Sequence, residues 1–290
     1  MAHSKDKLKK RYKQINRSLF GNINALLFLL FLGLFMVLPL VFVVSNAFKP
    51  LDELFIFPPR FFVRNPTLSN FSDMLIVMSE SWVPFTRYLF NTVFSTVIGT
   101  FGHLFFASMA AFALARHPFP GSKVMFRIIV LSLMFTPAVT GIPNYIIMAK
   151  VNLIDTYWAV ILPAMQTSLG LYLMKQFMET LPEAVMESAR IDGAGEIKIY
   201  WKIAMPMVKP AWITLIILMV QNLWNSTSPF TYSEELKTMP QAMSQILSGG
   251  IARTGVASAV SLIMLLVPLL IFVFSQSKVI ETMSTSGMKD

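Results

Sequence analysis

The sequence predicts an all-α integral membrane protein with six transmembrane helices, and three observations carry that prediction. Hydrophobic residues make up 55% of the chain and charged residues 13%, with a mean hydropathy of +0.61. That balance is too apolar for a soluble domain of 290 residues. Six runs approach the roughly 20 apolar residues that a bilayer crossing takes. Between two of them, Leu181 to Trp212 is polar, charged and broken by glycine and proline, so it reads as a loop displayed on one face of the bilayer.

In chain order, residues 1–21 form a basic segment containing Lys5, Lys7, Lys9, Lys10, Arg11, Lys13 and Arg17. The first apolar run, Ile23 to Ser45, is longer than the core of a secretion signal and lacks a small-residue cleavage pattern, so it is read as a retained span. The others run from Tyr88 to Ala113, Met125 to Met148, Tyr157 to Phe177, Met207 to Trp224 and Val256 to Ser275. Lys209 near the start of the fifth makes it the weakest. Residues 22–276 thus form one membrane domain with no separate soluble unit, and 277–290 a polar tail. Pro58, Pro59, Pro66 and Pro84 make Lys49 to Arg87 an extended surface loop. Thr231 to Gly255 is a second loop on the same side.

The distribution of Lys and Arg sets the orientation. Placing the N-terminus inside gathers Arg116, Lys123, Arg127, Lys175, Arg190, Lys198, Lys202, Lys209, Lys278 and Lys289 with the basic first segment. Lys49, Arg60, Arg64, Arg87, Lys150, Lys237 and Arg253 remain outside. Both termini and the loop 181–206 are therefore expected in the cytoplasm. A net charge of +9 is then accounted for by cations beside an anionic leaflet, without nucleic acid. Trp82, Trp158, Trp201, Trp212 and Trp224 all fall at predicted interfaces or loops. Trp224 has two readings: an interfacial anchor, or, with Gln221, Asn222 and Asn225 around it, a platform on which a sugar ring stacks.

Several functions are excluded by what is missing. No Asp or Glu lies inside the six runs, which disfavours proton- or sodium-coupled transport. His103 is the one deeply placed ionisable residue, and a polar contact between helices is its ordinary role. There is no phosphate-binding G-x-x-x-x-G-K-[ST], since Gly121-Ser122-Lys123 lacks the upstream glycine. H-E-x-x-H and G-x-S-x-G are absent as well. With no cysteine, thiolate chemistry and disulfides are excluded. The chain is not expected to be an enzyme, to bind a metal or to hold a cofactor.

The charged loop has its own logic. Thr180-Leu181-Pro182-Glu183 fits a capping box with proline in the first turn, predicting a helix from near Leu181. Ala184, Val185, Ser188 and Ala189 give that helix small faces, and Gly193 ends it by adopting a left-handed conformation. A second helix carries Ile197, Trp201 and Ala204 at helical spacing until Pro206 and Pro210 turn the chain back toward the membrane. The product is a helix-turn-helix elbow.

Those residues carry a resemblance. Glu187-Ser188-Ala189, Asp192-Gly193-Ala194, Ile203 and Pro206 resemble the E-A-A-x-x-D-G-A-x(8)-I-x-L-P signature of permease subunits of binding-protein-dependent ABC importers. Ser188 replaces the middle alanine and Met205 the usual leucine. Ala111 to Arg116 followed by Phe119-Pro120-Gly121, Asp155-Thr156-Tyr157, Pro182-Glu183, Trp224-Asn225 and Gly287-Met288-Lys289 are similar to the carbohydrate branch, the G-type subunit of maltose transporters. The resemblance implies a type I ABC importer permease fold in a bacterial cytoplasmic membrane. Its partners would be a second homologous permease, an ATPase dimer that holds the ATP and Mg, and an extracytoplasmic solute-binding protein.

It also implies roles. Glu187, Ser188 and Asp192 would contact the ATPase, Ala189 and Ala194 would allow close approach, Gly193 would form the turn, and Ile203 and Pro206 would complete the motif. Gln221, Asn222, Trp224 and Asn225 would line the substrate path, and Ser248, Gly249 and Gly250 would touch the binding protein. Import of a sugar, an oligosaccharide by preference, is the expected function. The alternatives are a permease for another polar solute, such as a glycerophosphodiester or polyamine, and an ATP-independent carrier or channel.

Overall fold

The computed structural model describes residues 19–80, 83–250 and 253–286, and every regular element among them is a helix. Three helices are long and apolar enough to cross a bilayer unbroken: α1 (Leu19–Ala47), α4 (Phe85–Arg116) and the Thr254–Phe274 part of α14 (Thr254–Ser286). Two short helices, α2 (Leu51–Leu54) and α3 (Ser69–Glu80), lie between α1 and α4.

The remaining three apolar runs are interrupted. The third divides into α5 (Ser122–Ser132) and α6 (Pro137–Lys150). Pro137 has no N–H to continue a helix and pushes Thr136 into extended backbone, at φ −79 and ψ 155. The fourth divides into α7 (Trp158–Met165) and α8 (Ser168–Glu179), with Thr167 extended between them. The fifth is α12 (Lys209–Trp224), and it meets the preceding helical segment Glu196–Met207 at 78°. The break falls at Val208, at φ −93 and ψ 20, and Pro210 just after it has no N–H to carry the preceding helix's hydrogen bonding through.

The segment before α12 consists of α9 (Glu183–Ile191), α10 (Glu196–Ile199), a π-helical turn at Tyr200–Ala204 and α11 (Met205–Met207). α9 starts two residues later than expected and without the Thr180 capping box. The Thr180 hydroxyl donates instead to the carbonyl of Phe177, 2.8 Å away. Pro182 occupies the cap position.

α4 is the central strut, packed against α7, α8 and α12, while α1 lies along α14. One apolar core joins α4, α8 and the elbow through Phe112, Met174, Met178, Met186, Ile199, Tyr200 and Leu215. The other joins α3, α4, α12, α14 and α13 (Met239–Ser248) through Met74, Tyr88, Trp224, Met239, Ile246 and Val260. Along α1 the large side chains, among them Phe28, Phe31 and Phe35, are exposed, as lipid contact requires of an apolar helix.

Neither outer segment is a plain loop. After α1, the Lys49 ammonium donates to Asn46 Oδ1 at 2.6 Å and to the Arg60 carbonyl at 2.5 Å. The Glu53 carboxylate accepts the N–H groups of Arg64 and Asn65 at 3.0 and 2.9 Å. The stretch predicted to be extended is thereby folded back on itself. In the second segment α13 is a regular helix opened by a capping box between Thr238 and Gln241. The predicted Trp82 anchor, the basic first segment and Gly287-Met288-Lys289 lie outside the described residues.

Candidate functional site

Two features stand out, an elbow built from α9 to α11 and a cavity lined by α6, α7 and the end of α12. The elbow turns at Gly193, whose φ of +77 is left-handed. Its amide donates to the Arg190 carbonyl at 3.0 Å, and the Ala194 amide reaches back to Ala189 at 2.9 Å. This is the paired bonding of a Schellman end, and it satisfies carbonyls that the helix terminus orphans. Ala189 and Ala194 meet across that turn and pack on the chain's own core. Their small size serves the turn itself before it serves any close approach by a partner.

Polar clamps hold the elbow in place. Arg190 Nε donates to Glu196 at 2.9 Å, and the other carboxylate oxygen faces His117 Nε2 at 3.1 Å. The Arg116 guanidinium, at the end of α4, reaches the carbonyls of Met178 and Leu181 between α8 and α9. The Tyr200 hydroxyl is 2.6 Å from Ser108 Oγ. The inward face of the second helix is Ile199, Tyr200, Ile203 and Ala204, with Trp201 and Ile197 turned outward. Ile197 and Trp201, at helical spacing with Ala204, thus do not share its buried face. The π turn at Tyr200–Ala204 shifts the helix register there.

Glu187, Ser188 and Asp192 remain exposed on the elbow. Two apolar side chains of the elbow are exposed as well, Ile191 at 84% and Ile197 at 78%. Pro206 is exposed in α11, just ahead of the bend.

The cavity, about 250 Å³, lies between α6, α7, the α7–α8 break and the end of α12. Thr140, Asn144, Thr167, Asn222, Ser226, Thr227 and Ser228 bring hydroxyl and amide groups to its wall. Val160, Pro163, Leu223 and Phe230 bring apolar surface, and none of the lining residues is charged. Thr140 and Asn144 come from α6 and Asn222 from α12, Thr167 stands in the α7–α8 break, and Ser226, Thr227 and Ser228 follow the end of α12.

Of the four residues expected on the path, only Asn222 lines this cavity. Asn225 and Gln221 are exposed beside it, and Asn225 Nδ2 donates to the Gln221 carbonyl at 2.9 Å. Trp224 turns the other way. It is 3% exposed, sits in the core with α14, and its indole N–H donates to the Met264 carbonyl at 2.9 Å. So enclosed, the ring has no exposed face for a sugar to stack on, and the cavity it borders with Val93, Val97 and Ile271 is apolar.

A strap of chain borders the cavity. Ser228, Pro229 and Phe230 line it, and the strap continues to α13. Asp155, at φ +58, accepts from the N–H groups of Tyr232 and Ser233 at 2.9 and 2.8 Å and from the Ser233 hydroxyl. These donors, the Ser233 hydroxyl foremost, hold Asp155 below the usual carboxylate range. Asn91 donates to the carbonyls of Glu235 and Lys237 and accepts from Tyr157, and Tyr88 donates to Glu234. Gln241 donates to Ser228. Ser248, Gly249 and Gly250 lie beyond this clamp at the exposed end of α13, with Gly250 left-handed at φ +90.

Residues 103–283 match the family described as binding-protein-dependent transport system inner membrane component. Protein LplC of Bacillus subtilis (strain 168) is 33% identical over 205 residues, covering 69% of this chain, and the match spans 65% of that protein's length. The arabinooligosaccharides transport system permease protein AraQ of the same organism is 28% identical over 266 residues, covering 91% of this chain and 94% of that one. A chain from the crystal structure of a bacterial ABC transporter involved in the import of the acidic polysaccharide alginate superposes with a TM-score of 0.78 at 20% identity. The superposition covers 91% of this chain and 99% of that one, and it is a likeness of fold. With more than half of its residues inside the family match, the chain belongs to the binding-protein-dependent transport system inner membrane components.

Proposed function

We propose that this chain is the permease subunit that supplies one half of the membrane path in an ATP-binding-cassette importer of oligosaccharides. The observation that carries the reading is the cavity between α6, α7 and α12, whose largely apolar wall carries hydroxyl and amide residues and no charged one. Such a wall exchanges hydrogen bonds with sugar hydroxyls while its apolar parts meet the ring faces, and it gives an anionic or cationic solute no counter-ion. A neutral oligosaccharide fits best.

In this reading all six apolar runs cross the membrane, the broken ones included, with both termini and the elbow in the cytoplasm. The elbow docks on an ATPase subunit. Ile191 and Ile197 supply exposed apolar area there, Glu187 and Asp192 supply charge, and Ser188 completes the contact. Ile203 and Pro206 anchor the elbow to the bend at α12, so closure of an ATPase dimer tilts α12 and reshapes the cavity. A second permease supplies the facing half, and an extracytoplasmic binding protein delivers the sugar against the outer segments, with Ser248, Gly249 and Gly250 within its reach. ATP and Mg stay on the ATPase.

The test is purification of the tagged chain in mild detergent from its native membrane, followed by reconstitution of whatever accompanies it. An ATPase, a second permease and ATP-driven uptake of a neutral oligosaccharide are expected. A chain that purifies alone, or takes up solute without ATP, would overturn the reading.

A further inference from the structure

The cavity encloses about 250 Å³, less than the roughly 300–1,000 Å³ of sites that hold drug-sized molecules. A chain of several sugar rings therefore extends beyond the space this wall encloses, and what borders that space is aromatic. Thr140, Gly141 and Asn144 of α6 line the cavity, and Tyr145 comes one turn after Gly141, on the same side of the helix. Its ring is 42% exposed and lies 6.2 Å from that of Phe230, which belongs to the cavity wall. Tyr232, two residues further along the strap, is 58% exposed, and its hydroxyl pairs with that of Tyr145.

Both rings are anchored at the backbone and open at the side chain. Tyr145 stands in the regular helix α6. Asp155 accepts from the Tyr232 amide at 2.9 Å, and its own amide donates to the Phe230 carbonyl at 2.9 Å. The strap is thus fixed on either side of Thr231. A Cβ added at Gly141 would meet nothing within 4 Å, so the turn of α6 before Tyr145 faces open space. A tyrosine ring has only two side-chain torsions to lose on binding, and it offers an apolar face with a polar tip. A sugar ring is built the same way, with C–H patches on its faces and hydroxyls around its edge.

From this arrangement we infer that Tyr145 and Tyr232 form a stacking subsite for an oligosaccharide at the border of the cavity, receiving the ring next to the one inside. The aromatic surface that the buried Trp224 does not offer comes instead from α6 and the strap. Tyrosines that only anchor a helix at the headgroups would respond to no sugar. The inference rests on the cavity being the sugar path, and its test separates the two claims.

The test measures how much of a neutral pentasaccharide halves the alkylation rate of Asn222→Cys, a unique thiol because the chain has no cysteine, in the assembled complex in membrane vesicles. Y145L and Y232L should each raise that concentration roughly two- to tenfold, the worth of one aromatic contact. Y145F and Y232F keep the rings and should stay near wild type. The alkylation rate without sugar should be the same in all of them. A sugar-free rate that changes as much as the protection would make the tyrosines structural and overturn the inference. Equal protection in the leucine variants and the wild-type pair, or phenylalanine variants as poor as the leucine ones, would overturn the subsite while the path stands. If the pentasaccharide protects none of them, the wild-type pair included, the cavity is not the path, and the proposed function fails together with the subsite.

Discussion

Gly193 allows the elbow's turn to be separated from its docking surface. Its φ is +77, and a Cβ built there meets nothing within 4 Å, so a substitution brings backbone strain without an internal clash. An L-residue in the left-handed region costs about 1–2 kcal/mol, with asparagine the mildest. That corresponds to roughly a 5–30-fold shift away from the closed turn. If the turn's conformation is what couples ATP to transport, uptake should fall in the order Gly, Asn, Ala, Val, while the amount of inserted protein stays constant. ATP-driven uptake in proteoliposomes, with ATPase subunit recovered per permease, measures both quantities. Normal uptake by Gly193→Val would refute the reasoning. An asparagine variant worse than alanine would refute the strain account in favour of steric exclusion at the docking face.

Three further outcomes follow from the geometry. Asp155→Asn removes the charge that receives three hydrogens from the strap and should expose residues 226–238 to protease in intact vesicles. Because the folded Asp155 titrates below its ordinary value, its contribution is fully present above about pH 3.9. It is lost as pH falls through the lower folded value, so wild-type protection should fail only in strong acid and the variant should lose that acid transition. Trp224→Phe deletes one buried hydrogen bond to Met264 and should cost about 1 kcal/mol of thermal stability in detergent. It should leave half-saturation for sugar unchanged, whereas a stacking role would raise it. Arg116→Lys loses the Nε donor to the Met178 carbonyl and the planar fork that also reaches Leu181, and it should destabilise the α8–α9 junction by about 1–3 kcal/mol, read as a lowered Tm.

What was legible in the sequence was local. Three of the apolar runs, the left-handed Gly193 and the bend ahead of Pro210 each depend on a few adjacent residues, and the structure has them as unbroken helices, a turn and a 78° bend. The break at Thr136 has a local cause in Pro137, but the one at Thr167 was harder to see: hydropathy reports burial from water, and it does not register that His103 on α4 meets the Met165 carbonyl there. Trp224 was ambiguous because its neighbours Gln221 and Asn225 are polar, and only the packing of α14 across it decides which way the ring turns. Asp155 pairs with residues 77 and 78 positions away, a separation no local pattern reveals. One signal was present and unused: Thr238 with Gln241 three residues on, ahead of Ala242, Met243 and Ile246 at helical spacing, marks the start of α13.

The central claim is that sugar passes through the cavity bordered by Asn222, and the chain's lack of cysteine makes one experiment decisive. Asn222→Cys gives a unique thiol, and its alkylation rate can be followed in the assembled complex in membrane vesicles. The account predicts that the transported oligosaccharide slows labelling, that ATP changes the rate, and that the alkylated carrier no longer takes up sugar. A labelling rate indifferent to sugar and ATP, with full uptake after modification, would contradict it.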